Sequence, residues 1–355
     1  MPVARVKPGM RRAYLATPLA TPLATPRAAS RAASRARLLA AWFALIVVTL
    51  GSTAAVAQTW PSRPIRIVVP FAPGGVTDVV ARLLAARYTD VLGQSVTVDN
   101  RAGAGGNIGA EIVAKAAPDG YTLLFSSAAL AVNPSLYSKL SYNTLKDLLP
   151  VTGVVSSPQL LVVHPSVPVK TAKELVALSR KRKGGLNFGS NGVGTTSHLA
   201  GVLFASLAGA EITHVPYKGA GSVVGAVIAG EVDMSFFATS VAMPHLKSGR
   251  LRALAVTTIK PTALLPDVPP LDRFLPGFDT DNWFGLFVAA GTPKAIIDRL
   301  NAETLKAIQT VEMRAAFERD GLEALSLGPA EFAQFFMREM EKYAKLVKLS
   351  GAKAE

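Results

Sequence analysis

The stretch from Ile65 to Arg87, I-R-I-V-V-P-F-A-P-G-G-V-T-D-V-V-A-R-L-L-A-A-R, decides the fold. Ile65, Ile67, Val68 and Val69 are β-branched, which predicts a strand buried on both faces. Pro70 and Pro73 end it, and Gly74 and Gly75 allow a backbone path closed to residues with a Cβ. Apolar residues then fall at Val76, Val79, Val80, Leu83, Leu84, Tyr88, Val91 and Leu92, a helical spacing. A glycine turn that opens a helix leaves unpaired N–H groups pointing one way, at the positive end of the helix dipole. The stretch therefore predicts an anion site, and the anion expected is a small carboxylate. A second such turn, near Thr195, is expected to face the first.

Outward from this unit the strand–helix alternation continues. V-T-V-D-N (96–100) reads as a second strand, and R-A-G-A-G-G-N-I-G (101–109) as a glycine-rich loop opening a helix through Lys115. Its glycine spacing and its place after the second strand do not fit a dinucleotide fingerprint; a loop packed closely on a neighbour is expected. Y-T-L-L-F-S-S (121–127) is a third strand ending in two hydroxyls. This order implies a parallel sheet with ligands at the carboxyl ends of its strands. Residues 128–150 read as irregular, and Leu160–Val163 as a strand. Thr171 caps a helix, with Glu174 in capping-box position.

A second α/β unit begins at Leu186–Ser190. Thr195 is a natural N-cap for the helix that follows. Ile212–Tyr217 and Met234–Phe237 are strands, and Lys218-Gly219-Ala220-Gly221 opens another helix. Leu251–Thr258 reads as a strand returning toward the first unit, followed by a proline-rich connector over 261–276. Trp283–Ala289 is a strand, Pro293 starts a helix, and a last helix from Pro329 to Val347 puts Phe332, Phe335, Phe336, Met340 and Tyr343 on one face. The chain thus crosses between two α/β lobes twice, near 155–163 and 251–282, and a double crossover makes a hinge. The division expected is 58–160 with 281–355 for one lobe and 161–280 for the other.

Bulk properties agree with a binding protein of two lobes. The chain has 355 residues, half of them apolar, and a net charge of +14. Residues 1–57 hold eight Lys or Arg and no acid, so the rest carries +6. With no aromatic-plus-basic clusters, nucleic acid is not an expected partner. The absence of cysteine excludes disulfides, thiolate chemistry and Cys-ligated zinc. Residues 38–50 form an apolar run after an arginine-rich segment, with Ala55-Val56-Ala57 behind it. This reads as a secretory signal peptide cleaved before Gln58, preceded by a low-complexity T-P-L-A repeat over 17–26.

No catalytic constellation accompanies these turns. There is no G-x-S-x-G elbow, no H-E-x-x-H, no EF-hand loop and no P-loop. His164, His198, His214 and His245 are scattered without an acid or second histidine at ligand spacing, so no metal and no cofactor are expected. Asp78, in the first turn of the first helix, reads as a capping and dipole-pairing residue whose oxygens must turn into the loop if an anion is to bind nearby. What remains is a polar rim. Gly74, Gly75 and Thr77 stand on the first turn, with Ser126 and Ser127 beside them. Thr195, Thr196, Ser197, Lys218 and Thr239 come from the second unit. Backbone donors and hydroxyls match carboxylate oxygens; the set binds and does not make or break bonds.

These residues resemble a known family. P-F-A-P-G-G-x-x-D-x-x-A-R (70–82), N-R-x-G-A-G-G-N-I-G (100–109), D-G-Y-T-L (119–123), G-x-G-T-x-x-H-L (192–199), V-P-Y-K-G (215–219) and G-L-F-V-A-A-G-T-P (285–293) are similar to the Bug family, the periplasmic receptors of tripartite tricarboxylate transporters. The resemblance covers essentially all of 60–350. It implies a type II, Venus-flytrap periplasmic-binding-protein fold closing on a carboxylated metabolite, with a membrane permease as partner. It also implies that the ligand's proximal carboxylate meets Pro73, Gly74 and Gly75, with Ser126 and Ser127, and Thr195 to His198 from the other lobe. Phe71, Ala128 and Ser190 flank these positions and complete the candidate ligand-binding set. The expectation is a monomeric, non-catalytic periplasmic receptor for a di- or tricarboxylate or aromatic acid. A ligand-sensing subunit and an exported carboxylate-ester hydrolase are the alternatives.

Overall fold

The computed structural model describes residues 60–354. The arginine-rich segment, the apolar run and the cleavage signal lie outside the described residues. In chain order, the first elements are β1 (Ile65–Val69), α1 (Val76–Leu92), β2 (Val96–Asn100), α2 (Asn107–Ala114), β3 (Thr122–Ser127), α3 (Ala129–Leu136), the single turn α4 (Thr144–Asp147) and β4 (Leu148–Ser157). The chain continues through β5 (Gln159–Val163), α5 (Ala172–Lys181), β6 (Leu186–Ser190), α6 (Thr196–Ala208), β7 (Ile212–Pro216), α7 (Ala220–Ala229), β8 (Met234–Ala238), α8 (Thr239–Lys247) and β9 (Arg252–Val256). It closes with β10 (Asn282–Ala289), α9 (Lys294–Ile308), α10 (Val311–Arg319), β11 (Glu323–Leu327) and α11 (Pro329–Ser350). A six-stranded sheet has the order β11-β4-β10-β3-β1-β2, and a five-stranded sheet the order β7-β6-β8-β5-β9.

The first sheet is mixed rather than parallel. β1 pairs in parallel with β2 and β3, whereas β10 lies antiparallel between β3 and β4. The reason is where β10 comes from. β1, β3 and β4 run toward the second sheet; β10 arrives from it and must run away.

Six elements escaped the sequence reading: α3, α4, β4, α8, α10 and β11. α3 occupies a stretch that Asn133-Pro134 marked as irregular, because burial of Leu130, Ala131 and Val132 outweighs the breaker. β4 carries Pro150 and Gly153, which argue against a central strand. Gly153 nevertheless stands in register with Gly285, and the Phe332 ring fills the space both leave: a Cβ on Gly285 would lie 2.2 Å from it. β11 is short, with no fully buried residue.

Each sheet has apolar layers on both faces, and one layer joins them. Leu199 of α6 belongs to the same buried cluster as Trp283, Phe332, Phe336 and Tyr343, with Leu203 packed against it. The second lobe's helix is thereby seated on α11 of the first. The glycine-rich loop after β2 is a close-packed element, as expected. A Cβ on Gly109 would lie 2.8 Å from the backbone of Pro70.

Candidate functional site

Strand registers put the helix starts of both lobes on one seam. In the first sheet Phe284 pairs with Ser127 on one side and Val155 on the other, so β4 runs only two residues past the end of β3. β4 then leads through Pro158 into β5, where Gln159 stands opposite Ala238, the last residue of β8. β6 and β7 run parallel to β8. The carboxyl ends of β1, β3, β6, β7 and β8 therefore all point at the crossover, and α1, α6, α7 and α8 all begin there. This is where an open α/β sheet binds ligands.

On the first lobe, Gly75 is the N-cap of α1 and no side chain caps it, so the first-turn N–H groups remain open. Gly74 takes φ +89°, a conformation suited to glycine. Asp78 is buried, and its oxygens do turn into the loop: Oδ2 accepts from Gly74 N–H at 3.0 Å and from Arg82 Nε at 3.0 Å, and Oδ1 from Asn100 Nδ2 at 3.0 Å. Burial works to raise this carboxyl, but bonds from Arg82, Gly74 and Asn100 outweigh it and hold it below its ordinary value. Asn100 also donates to the carbonyl of Phe71 at 3.1 Å. The Phe71 ring lies against Gly106. Pro73 is exposed. Thr77 and Ser126 are buried, and Ser127 Oγ accepts from Ala129 N–H at 3.4 Å, leaving its proton free. Ala128 N–H is bound to Trp283 O at 2.9 Å.

On the second lobe, most polar side chains hold the turn in shape. Thr195 caps α6: its Oγ1 accepts from His198 N–H and donates to Gly192 O at 2.7 Å. Ser197 Oγ accepts from Asn191 N–H at 3.0 Å. His198 Nδ1 accepts from Gly194 N–H at 3.1 Å, so this histidine builds the loop. Its ring stacks on His214 at 4.0 Å between centroids, and Ser190 Oγ bonds His214 Nε2 at 2.6 Å. Burial, then the proximity of His214, pushes His198 down to about 4.

Thr196 is different. Its Oγ1 accepts from Gln159 Nε2 at 3.1 Å, so its own proton stays available at the start of α6. Lys218 is exposed, beside the point where Gly219 N–H reaches Asn191 O at 3.3 Å. Thr239 gives both its N–H and its hydroxyl to Pro158 O, and packs near Gly321. The seam thus combines open helix starts with the hydroxyls of Thr77, Ser126, Ser127 and Thr196, while Ser190, Thr195, Ser197, His198 and Thr239 support the turns.

Arg82, Asn100 and Gln159 were not among the expected site residues. The first two had a signal, since Arg82 follows Asp78 by one helical turn and Asn100 ends a strand beside it. Gln159 had none. Among the described residues no group of three or more His, Cys, Asp or Glu could hold a metal ion, and no helix is long and apolar enough to cross a membrane.

Known proteins are similar to this chain in sequence and in fold. Residues 80–351 match the TctC family, described as the tripartite tricarboxylate transporter family receptor. The chain is 39% identical over 321 residues to the protein BugT of Bordetella pertussis, covering 89% of this chain and 98% of that one. Among solved structures, an R. palustris protein with adipate is 33% identical with a TM-score of 0.69, covering 83% of this chain and 99% of that one. MatC from Rhodopseudomonas palustris with bound malate is 33% identical with a TM-score of 0.64, covering 81% and 100%. The match over most of the chain and the shared two-lobed fold lead to one conclusion: this chain belongs to the TctC family of tripartite tricarboxylate transporter receptors.

Proposed function

We propose that the protein is a periplasmic solute-binding receptor that captures a small organic carboxylate between its lobes and delivers it to the membrane permease of a tripartite transporter. The observation that carries this reading is the convergence of uncapped helix starts on one seam. α1, α7 and α8 have no side-chain cap, and α6, α7 and α8 have no acidic residue in their first turns. Aligned N–H groups of this kind favour negative oxygens. Adipate and malate in the two related structures support a carboxylate as the ligand class.

The division into two lobes belongs to the same reading, with the first boundary moved from 160/161 to Pro158, because β5 from Gln159 lies in the second sheet, and the second kept at 280/281; so does export by a cleaved signal peptide ending at Ala57. So do a monomeric state and the absence of catalysis. The hydroxyls on the rim have no paired base: the Ser190–His214 contact is a support for the loop, with Ser190 fully buried.

Native mass spectrometry of the exported protein, followed by calorimetry against dicarboxylates, tricarboxylates, aromatic acids and amino acids, tests the proposal. A single carboxylate class bound at one site per chain is expected. Silence across the whole panel, or turnover of a bound ester, would overturn it.

A further inference from the structure

Both crossovers between the lobes are tied to one carboxyl group. Asp281 immediately precedes β10, Ser156 is the penultimate residue of β4, and the Ser156 hydroxyl donates to Asp281 Oδ2. Tyr343 of α11 donates its hydroxyl to the backbone oxygen of Asp281 at 2.7 Å. Asp281 keeps some exposure as a residue, but its Oδ1 is screened from water and has no hydrogen-bond partner.

The charges around it are unbalanced. Asp279 lies on the connector, Glu339 and Lys342 on α11. Lys342 Nζ is 2.5 Å from Glu339 and 3.2 Å from Asp279, so the ammonium of the cluster is already paired with two other carboxylates. Trp283 Nε1 donates to Glu339 Oε2 at 3.0 Å. From β11, Glu323 stands in register with Ser156 but turns its carboxylate to Thr262 and Ala263. A neutral carboxyl tolerates this enclosure. A carboxylate without a counter-ion, beside two others, does not.

We propose that Asp281 is a proton-operated latch between the two crossovers: protonated, it sits dry between β4 and the start of β10; ionised, it keeps the Ser156 bond but draws water to its unpartnered Oδ1, loosening the lobes and weakening ligand capture. The last clause rests on the receptor reading above; the latch itself does not. Burial, with Glu339 and Asp279 adding to it against Ser156 and Lys342, pushes the Asp281 carboxyl up to about 7, which places the transition near neutral pH.

Trp283 shares the cluster and reports on it. Intrinsic tryptophan fluorescence of the intact protein, titrated from pH 5.5 to 9, is expected to show a midpoint near 7 that is absent in Asp281→Asn. Ser156→Ala removes a bond to the carboxylate and should move the midpoint up; Glu339→Gln removes a repulsion and should move it down. A purely structural role for Asp281 predicts neither displacement, so these two variants decide the matter even if Asp281→Asn folds poorly. Calorimetry with a dicarboxylate should show affinity falling about tenfold from pH 6.5 to 8.5 in the wild type and staying level in Asp281→Asn. A flat fluorescence profile in the wild type, or an unchanged midpoint in all variants, would overturn the latch. A fluorescence midpoint with the expected displacements but no carboxylate binding supports the latch and contradicts the receptor reading alone.

Discussion

The carboxylate of Asp78 accepts the backbone N–H of Gly74 at 3.0 Å, and so turns its charge into the loop rather than toward the open first turn of α1. Arg82 on one side and Asn100 on the other fix it there. Asp78 is thus a brace: it shapes the glycine turn and gives up its lone pairs to the protein. Gly74, for its part, has no N–H left for a ligand.

Removing the brace should cost both stability and affinity. Asp78→Ala leaves Gly74 N–H and Asn100 without their acceptor, which lowers stability by about 1–3 kcal/mol; the Arg82 pair adds little because its side chain is 54% exposed. Carboxylate affinity should fall about tenfold as the turn loosens. Because the folded-state carboxyl is held low, its contribution is complete above the ordinary carboxylate range and is lost as pH falls through the depressed value. The gap between wild type and Asp78→Ala in thermal unfolding should therefore close on acidification below about pH 4.

His198 predicts a second pH dependence of defined sign. The neutral ring accepts from Gly194, and protonation is opposed by burial and by His214. With a folded value near 4 and an unfolded value near 6.5, the unfolded chain binds the proton first. Stability should fall from pH 6.5 to 4 by up to about 3 kcal/mol and level off below. His198→Gln keeps an acceptor without titrating there. Urea unfolding at stepped pH should show a shallower slope for this variant.

Gly194 ties the second turn to the first lobe. Its φ is +77°, and a Cβ would lie 2.5 Å from Leu136 Cδ2. Gly194→Ala is expected to lose about 2–4 kcal/mol from left-handed strain and overpacking together. Binding should weaken as well, because Leu136 belongs to the first lobe and the displaced loop carries the start of α6. Unaltered thermal stability with unaltered affinity would mean that this contact does not set the loop.

Much of the local structure of the candidate site was legible because a glycine turn before a helix has a local signature. Ile65–Arg87 gave the strand, the turn and the helix, and Thr195 was recognisable as a cap from its own chemistry. The glycine-rich loop over 101–109 could be set aside as a dinucleotide fingerprint on its glycine spacing and its place after the second strand. Burial and pairing across the chain were not legible. Whether Asp78 faces ligand or loop depends on Asn100, more than twenty residues away, and Gln159 acquires its role only because a crossover carries it to Thr196. The direction of β10 follows from the path of the connector, which leaves no mark on its own residues. β4 was hidden because Gly153 serves the Phe332 ring, a partner far along the chain.

The proposed uptake of the ligand's carboxylate by open amide groups at the start of α1 is measured most directly at Gly75. Its φ of −81° is open to any residue, and a Cβ there meets nothing within 4 Å. Gly75→Ala and Gly75→Asp should both fold, the latter as stable as the wild type or slightly more so, since aspartate is a good N-cap. Calorimetric titration of both variants with the carboxylate that binds the wild type is the test. Near-normal affinity is expected for Gly75→Ala, and a loss of at least a hundredfold for Gly75→Asp, whose charge occupies the ligand's place. Equal, undiminished affinity in the two variants would contradict it.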